Sequence, residues 1–123
     1  MTQPLIVLAY EKLLPGSQLV NRLEDQGYRV KSVSDVGLVL GTIEKEKPLL
    51  IIVDMEPTFE KVSTVIAQLT SHTATAHIPI IALTFPGNEQ AEQAAREAGA
   101  RLVVGDSAIL AHLDQFLQQA LEI

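Results

Sequence analysis

Residues 49–54 read LLIIVD, a run of five aliphatic side chains that ends on an aspartate. A run this short, with no polar interruption and with β-branched residues, is typical of a strand buried on both faces of a sheet. Similar apolar runs occupy residues 5–9, 78–83 and 102–104. Residues 28–33 alternate apolar and polar side chains, which indicates a strand at the edge of the sheet. The sequence therefore predicts five strands.

Between these runs the apolar residues recur at helical spacing, which predicts a helix after every strand. Asp35 and Thr58 are candidate N-caps of the second and third helices, and the fourth helix is predicted to run from Asn88 to Ala98 and to be closed by Gly99. The last helix is predicted to begin at about Ser107. The polar stretch at residues 71–77 is the nearest to a loose loop in the sequence, and the alternative interpretation is simply a polar connection from a helix to a strand.

A strict alternation of strands and helices predicts a parallel sheet, because parallel strands need crossover connections that cover both faces. Five strands of this length favour the flavodoxin-like, doubly wound fold with strand order 2-1-3-4-5 and helices on both faces. The chain has 123 residues and no linker-like or low-complexity segment, so we expect residues 1–123 to form a single domain.

Composition excludes several classes of function. The sequence contains no cysteine, which excludes disulfide scaffolds, thiolate metal sites and cysteine nucleophiles. The net charge of −6 argues against binding of nucleic acid or of an anionic membrane surface. No apolar run approaches the roughly 20 residues of a membrane span. A reducing, cytoplasmic setting is compatible with these features.

Candidate functional residues follow the predicted strands, because ligands of this architecture bind beyond the carboxyl ends of the strands. Asp54 follows the third strand, Glu11 the first and Thr84 the fourth. Neighbouring carboxylates repel unless a cation joins them, and oxygen ligands suit Mg²⁺. The alternative interpretation is that Asp54 and Thr84 only cap loops and helix starts, as these residue types often do.

Other site types have little support in the sequence. A Walker loop and a G-x-G-x-x-G fingerprint are both absent, and the turn after the first strand lacks a phosphate cradle for a flavin. No serine lies in a G-x-S-x-G elbow. The histidines lack the spacing of a helical metal-binding pair; they are His72, His77 and His112.

In the spacing of these residues, the sequence resembles the receiver domain of two-component response regulators over essentially its whole length. Asp54 lies where that family has its phospho-accepting aspartate, and Thr84 matches the family's Ser/Thr. The segment IPIIALT at residues 78–84 is similar to the family's fourth strand. The phrase AREAGA at residues 95–100 is similar to the connection that precedes its fifth strand.

The sequence also departs from that family at charged positions. The family ends its first strand with two acidic residues, whereas this chain has Tyr10 and Glu11. The family's lysine after the fifth strand falls on Asp106 by ungapped counting, or on Gly105 after a shift of one residue. The resemblance thus implies weak Mg²⁺ binding by Glu11, Asp54 and a backbone carbonyl at Glu56, and an incomplete phosphorylation site.

The resemblance implies a non-enzymatic, cytoplasmic signalling module of the atypical or pseudo-receiver kind, which acts in a phosphorelay. Its partner would be a sensor histidine kinase or another signalling protein. The alternative is a domain used for docking or dimerisation without phosphorylation. The alanine face of the predicted fourth helix, with Ile109 and Phe116, favours a homodimer surface made by helix 4, strand 5 and helix 5.

Overall fold

The five strands form one parallel sheet. The computed structural model describes residues 4–9, 16–55, 59–84 and 87–121. The strand order is β2-β1-β3-β4-β5, and every neighbouring pair is parallel. This confirms the predicted topology, including the edge position of the second strand. The strands are β1 (Leu5–Ala9), β2 (Arg29–Val33), β3 (Leu50–Asp54), β4 (Ile80–Thr84) and β5 (Leu102–Gly105).

Helices connect the strands as predicted, but the last one is interrupted. The helices are α1 (Gly16–Asp25), α2 (Val39–Glu46), α3 (Phe59–Ser71), α4 (Glu89–Ala98), α5 (Asp106–Ala111) and α6 (Leu113–Leu121), with a 3₁₀ turn at Val36–Leu38 before α2. The prediction of one final helix was therefore wrong. His112 has φ −131° and ψ 37°, outside the helical region, and separates α5 from α6. The apolar spacing continues across this break and does not reveal it.

Two apolar layers cover the two faces of the sheet. One layer joins the sheet to α2, α3 and α4, with buried residues such as Val39, Ile66 and Ala91. The other joins it to α1, α5 and α6, with buried residues such as Leu19 and Leu117. The alternation of side chains along each strand supplies both layers at once, since β3 is buried over its whole length. No helix of the described residues is long and apolar enough to cross a bilayer.

Polar side chains hold the starts of α4 and of the 3₁₀ turn. Asn88 caps α4, because its side chain accepts a hydrogen bond from the Ala91 backbone N–H at 3.2 Å. Asp35 accepts one from the Gly37 N–H at 2.9 Å, which caps the 3₁₀ turn. The predicted N-cap Thr58 lies outside the described residues.

The segment at residues 71–77 is the polar connection from a helix to a strand, the second of the two interpretations, and not a loose loop. Thr75 is buried, and its hydroxyl donates a 2.6 Å hydrogen bond to the Leu69 carbonyl. The Ile78 N–H in turn donates to the Thr75 carbonyl at 3.1 Å. The polar side chains of this segment form hydrogen bonds with the backbone of its own turns. A mobile loop can have the same composition, so composition alone does not distinguish the two.

Candidate functional site

The carboxyl ends of the strands meet at one edge of the sheet, and Asp54 is the last residue of the central strand β3. Its position is fixed on both sides, because Asp54 pairs with Leu83 of β4 and the preceding Val53 pairs with Ala9 of β1. The Met55 N–H extends the ladder past Asp54 by donating to the Leu83 carbonyl at 2.9 Å. The sheet therefore fixes the backbone of Asp54 up to the end of the strand.

Thr84 ends the neighbouring strand β4, one position beyond the residue that pairs with Asp54. Successive side chains of a strand alternate between faces, so Asp54 and Thr84 are neighbours along the edge and not partners on one face. Across the sheet Thr84 pairs with Gly105 of β5. The predicted juxtaposition of Asp54 and Thr84 at one edge is therefore present in the structure.

Both polar residues are buried. Asp54 is 8% exposed and Thr84 is 1% exposed. A buried carboxylate is costly unless it is paired or hydrogen-bonded, and Asp54 does take part in a polar or electrostatic interaction. Among the described residues Asp54 is the one buried acid, and Thr75 at the other end of α3 is the remaining buried polar residue. A buried acid at the end of a strand is typical of a functional position, because such positions retain reactive groups that lower the stability of the fold.

The other predicted ligands, Glu11 and Glu56, lie outside the described residues, as does Tyr10. The part of the chain that the structure describes holds no cluster of three or more histidine, aspartate or glutamate side chains that could bind a metal. The structure therefore places Asp54 and Thr84 and does not test the complete magnesium set.

The start of α5 lies next to the carboxyl end of β5. The sequence predicts that the last helix begins at about Ser107, and α5 begins at Asp106, with Gly105 as its N-cap residue at φ −69° and ψ 145°. Gly105 is also the residue that pairs with Thr84. A basic side chain is absent at both positions to which the sequence could assign the family's lysine.

The observations behind the predicted dimer surface also need correction. Ile109 is fully buried in the core, and Phe116 is half-buried against it. Ala91 and Ala95 of α4 are fully buried against the sheet. Small side chains let α4 lie close to the strands, so these alanines form core contacts and not a free helix face. The dimer itself stays a prediction.

Comparison by sequence gives no match: the chain matches no protein-family model and no curated protein sequence.

Comparison by structure gives matches over nearly the whole chain. One match is the receiver domain of a sensor histidine kinase from Pseudomonas aeruginosa, which was solved with a magnesium ion in its active-site cleft. Its TM-score is 0.87 and its sequence identity is 20%, and the alignment covers 99% of this chain and 100% of that domain. A signal receiver domain of a histidine kinase from Clostridium thermocellum has a TM-score of 0.84 and 17% identity, with 99% and 100% of the two chains covered.

A chemotaxis protein is similar to the same degree. The chemotaxis protein CheY4 of Vibrio cholerae has a TM-score of 0.84 and 18% identity, and the alignment covers 97% of this chain and 99% of that protein. The fold of the chain is therefore that of a CheY-like receiver domain, as the sequence predicted. At these identities the likeness establishes the fold, and the function has to be argued from the residues of this chain.

Proposed function

We propose that the chain is a receiver module of phosphorelay signalling in which Asp54 is the phospho-acceptor of an incomplete site. The observation that carries the proposal is the buried carboxylate of Asp54 at the carboxyl end of the central strand. Thr84 supports it, because a hydroxyl at the end of the neighbouring strand can donate a hydrogen bond to a phosphoryl oxygen. The module signals and is not an enzyme with a substrate of its own.

The proposed step is the transfer of a phosphoryl group to Asp54. A carboxylate oxygen of Asp54 attacks the phosphorus of a phosphohistidine or of a small acyl phosphate. A P–O bond to Asp54 forms as the bond between phosphorus and the donor breaks, and the donor leaves with that electron pair. Catalysis of such a transfer depends on positioning and on neutralising the charge of the phosphoryl oxygens.

We propose that the phosphorylation site is incomplete because two charged side chains of the family are missing from it. A phosphoryl group on Asp54 carries about −1.5 to −2 charges. The chain offers Gly105 and Asp106 where a lysine would neutralise that charge, and Tyr10 where a second acid would hold a cation. Two like charges 4 Å apart cost about 1 kcal/mol in water and about 4 kcal/mol near a protein surface. Phosphorylation is therefore expected to be slow, and the phosphorylated state weakly stabilised.

The oxygen donors that remain fit a weakly bound Mg²⁺. Carboxylates of Asp54 and Glu11 and the backbone carbonyl of Glu56 would hold the ion, whose charge would offset that of the phosphoryl group when it is bound. Weak binding is expected because one acidic position is occupied by Tyr10. The partner that this site implies is a sensor histidine kinase or another signalling protein, in a reducing cytoplasm that suits a chain without cysteine.

Phosphate incorporation tests the proposal directly. Incubation with ³²P-labelled acetyl phosphate and Mg²⁺ should give slow labelling of the folded protein that hydroxylamine removes, as expected of an acyl phosphate. Asp54→Asn keeps the shape of the side chain and should abolish the label. Labelling that persists in Asp54→Asn would show that another residue is the acceptor and would overturn the assignment.

The second candidate function is docking without phosphorylation, and the missing basic residue after β5 favours it. In this case a partner would bind the surface of α4, β5 and α5 whether or not Asp54 can be modified. A second copy of the chain is one such partner. Ala94 is half-buried, in contrast to the fully buried Ala91, so Ala94→Glu is the variant that changes this surface without entering the core. Sedimentation of the wild type and of Ala94→Glu would reveal a dimer that uses this surface.

A further inference from the structure

A groove of about 610 Å³ lies at the end of the sheet opposite to Asp54. It follows the amino ends of all five strands, and we call it the amino-edge groove; its lining includes Leu5, Arg29, Lys47, Leu49, Ile78 and Arg101. Its volume is in the range of binding clefts, which is about 300–1,000 Å³. The groove shares no lining residue with the carboxyl edge, so its chemistry is independent of the proposed phosphorylation.

The charge of the amino-edge groove is opposite to that of the whole chain. The chain has a net charge of −6, yet Arg29, Lys47 and Arg101 line this groove and are all exposed. Among its described lining residues Glu46 alone is acidic, and Lys31 lies 3.5 Å from its carboxylate in an ion pair. A concave surface of one sign selects ligands of the other sign and speeds their association. The charge pattern therefore favours an anionic ligand.

The same groove exposes apolar surface. Leu49 is 42% exposed and is one of two large apolar residues in the described chain with this degree of exposure. Leu49 is the residue before β3. Its backbone N–H donates a 2.8 Å hydrogen bond to the Leu5 carbonyl, and this bond holds Leu49 at the rim of the groove. A small inorganic anion would leave this apolar surface in water. A ligand that combines carboxylates with apolar side chains would cover it.

Lys47 occupies a position at which the fold does not require a lysine. It has φ 50° and ψ 63°, and it is the one non-glycine residue of the described chain with a positive φ. Glycine is the usual residue at this position after a helix, because a side chain strains the left-handed conformation. A lysine that remains at a strained rim position is consistent with a role for its charge.

We propose that the amino-edge groove binds an acidic peptide segment of a partner protein, with its carboxylates beside Lys47 and its apolar side chains over Leu49. Arg29 and Arg101 add positive charge to the rim but also take part in interactions of the chain itself, so Lys47 is the residue on which the test depends. The proposal goes beyond phosphorylation and does not depend on Asp54.

The probe is a fluorescein-labelled peptide, Glu-Leu-Glu-Glu-Leu-Glu, titrated with the full chain by fluorescence anisotropy. Control peptides carry lysine for every glutamate or serine for every leucine. Lys47→Glu should weaken binding of the probe about fivefold or more, because each reversed charge pair is worth about 1 kcal/mol in water. Lys45→Glu is the matched control, since Lys45 is exposed on the same helix but lines a different hollow. It should change the affinity less than about twofold.

NMR chemical shifts locate the binding. The expected result is saturable binding of the acidic, leucine-containing probe alone, with the largest amide shifts at Lys47 and Leu49 and with affinity that falls as salt rises. Equal weakening by Lys45→Glu would show non-specific attraction and would overturn the proposal. Binding of inorganic phosphate with the same shifts, or self-association of the chain through this groove in sedimentation, would assign a different occupant. Failure of the probe to bind would reject the site.

Discussion

At the carboxyl edge of the sheet, the described residues include one buried acid and one buried hydroxyl, whereas exposed cations surround a groove at the amino edge. Asp54 and Thr84 are held by the strands themselves and are 8% and 1% exposed. Lys47 and Arg101 are exposed at the ends of connections that enter the strands. Under the two proposals made above, phosphorylation and peptide recognition would use opposite ends of one sheet. Each could then be changed by substitution without the other.

The connections at the amino edge are tied back to the helices that precede them. Turns at the amino edge are tied to helix ends by backbone hydrogen bonds, as Lys47 is to Ile43 at 2.9 Å and Gly99 to Ala95 at 3.2 Å. Thr70 adds a side-chain tie, because its hydroxyl donates to the Ala98 carbonyl at 2.8 Å. We infer that substitutions that break these ties act mainly on stability, whereas substitutions at Asp54 and Thr84 would act mainly on the proposed phosphorylation.

The largest expected effect on stability is that of Gly99→Ala. Gly99 has φ +112°, and an added Cβ would lie 2.8 Å from the Thr70 Cγ2 atom. We expect the free energy of unfolding to fall by about 2–3 kcal/mol, measured by urea denaturation. Gly41→Ala is the matched control, since an added Cβ meets nothing within 4 Å in helix α2. That substitution should stabilise the chain by about 0.5–1 kcal/mol, and equal effects of both would contradict this account.

A smaller effect is expected from removing the hydroxyl of Thr84 at the carboxyl edge, with removal of the Thr75 hydroxyl at the amino edge as the comparison. Thr84→Val should reduce the rate of labelling by acetyl phosphate about tenfold, because the phosphoryl oxygen loses a hydrogen-bond donor. Thr75→Val removes an equally buried hydroxyl at the amino edge, where it donates to the Leu69 carbonyl. It should lower the free energy of unfolding by about 1 kcal/mol and leave the labelling rate of folded protein unchanged. A reversed pattern would remove Thr84 from the site.

The smallest expected effect is that of Lys47→Gly. Glycine relieves the positive φ of 50°, so the free energy of unfolding should rise by about 0.5–1 kcal/mol in thermal or urea denaturation. The same substitution should weaken binding of the acidic probe peptide. A loss of stability together with unchanged peptide binding would show that Lys47 serves the fold and not the amino-edge groove.

Most of the fold could be predicted from sequence because the strands are buried on both faces. Uninterrupted apolar runs identified β3 and β4, and the alternating run placed β2 at the edge. Boundaries were less accurate, since an apolar residue beside a strand has the same pattern as one inside it. Leu49 was counted within the third strand, yet it precedes β3 and is 42% exposed. The break at His112 left no trace in the apolar spacing.

The candidate site could be predicted in part. Asp54 and Thr84 follow apolar runs directly, so their position at the carboxyl edge follows from the strand pattern alone. The amino-edge groove was missed, because its residues come from the amino ends of all five strands and from α6, and no motif joins them. Lys47 gave a weak signal, as a lysine between the end of a helix and Pro48 where glycine would be usual. Glu11 and Glu56 remain predictions.

The central claim is that Asp54 is an acceptor whose site lacks charges, and repair of those charges tests it most directly. Labelling by acetyl phosphate would be compared in the wild type, Tyr10→Asp, Asp106→Lys, the double variant, and the double variant with Asp54→Asn. The account predicts that the double variant is labelled faster than either single variant, by about 100-fold over the wild type, and that Asp54→Asn removes the label. The two effects should be non-additive, because both act on one phosphoryl–Mg²⁺ unit. Rapid labelling of the wild type, or an unlabelled double variant that is folded, would contradict the account.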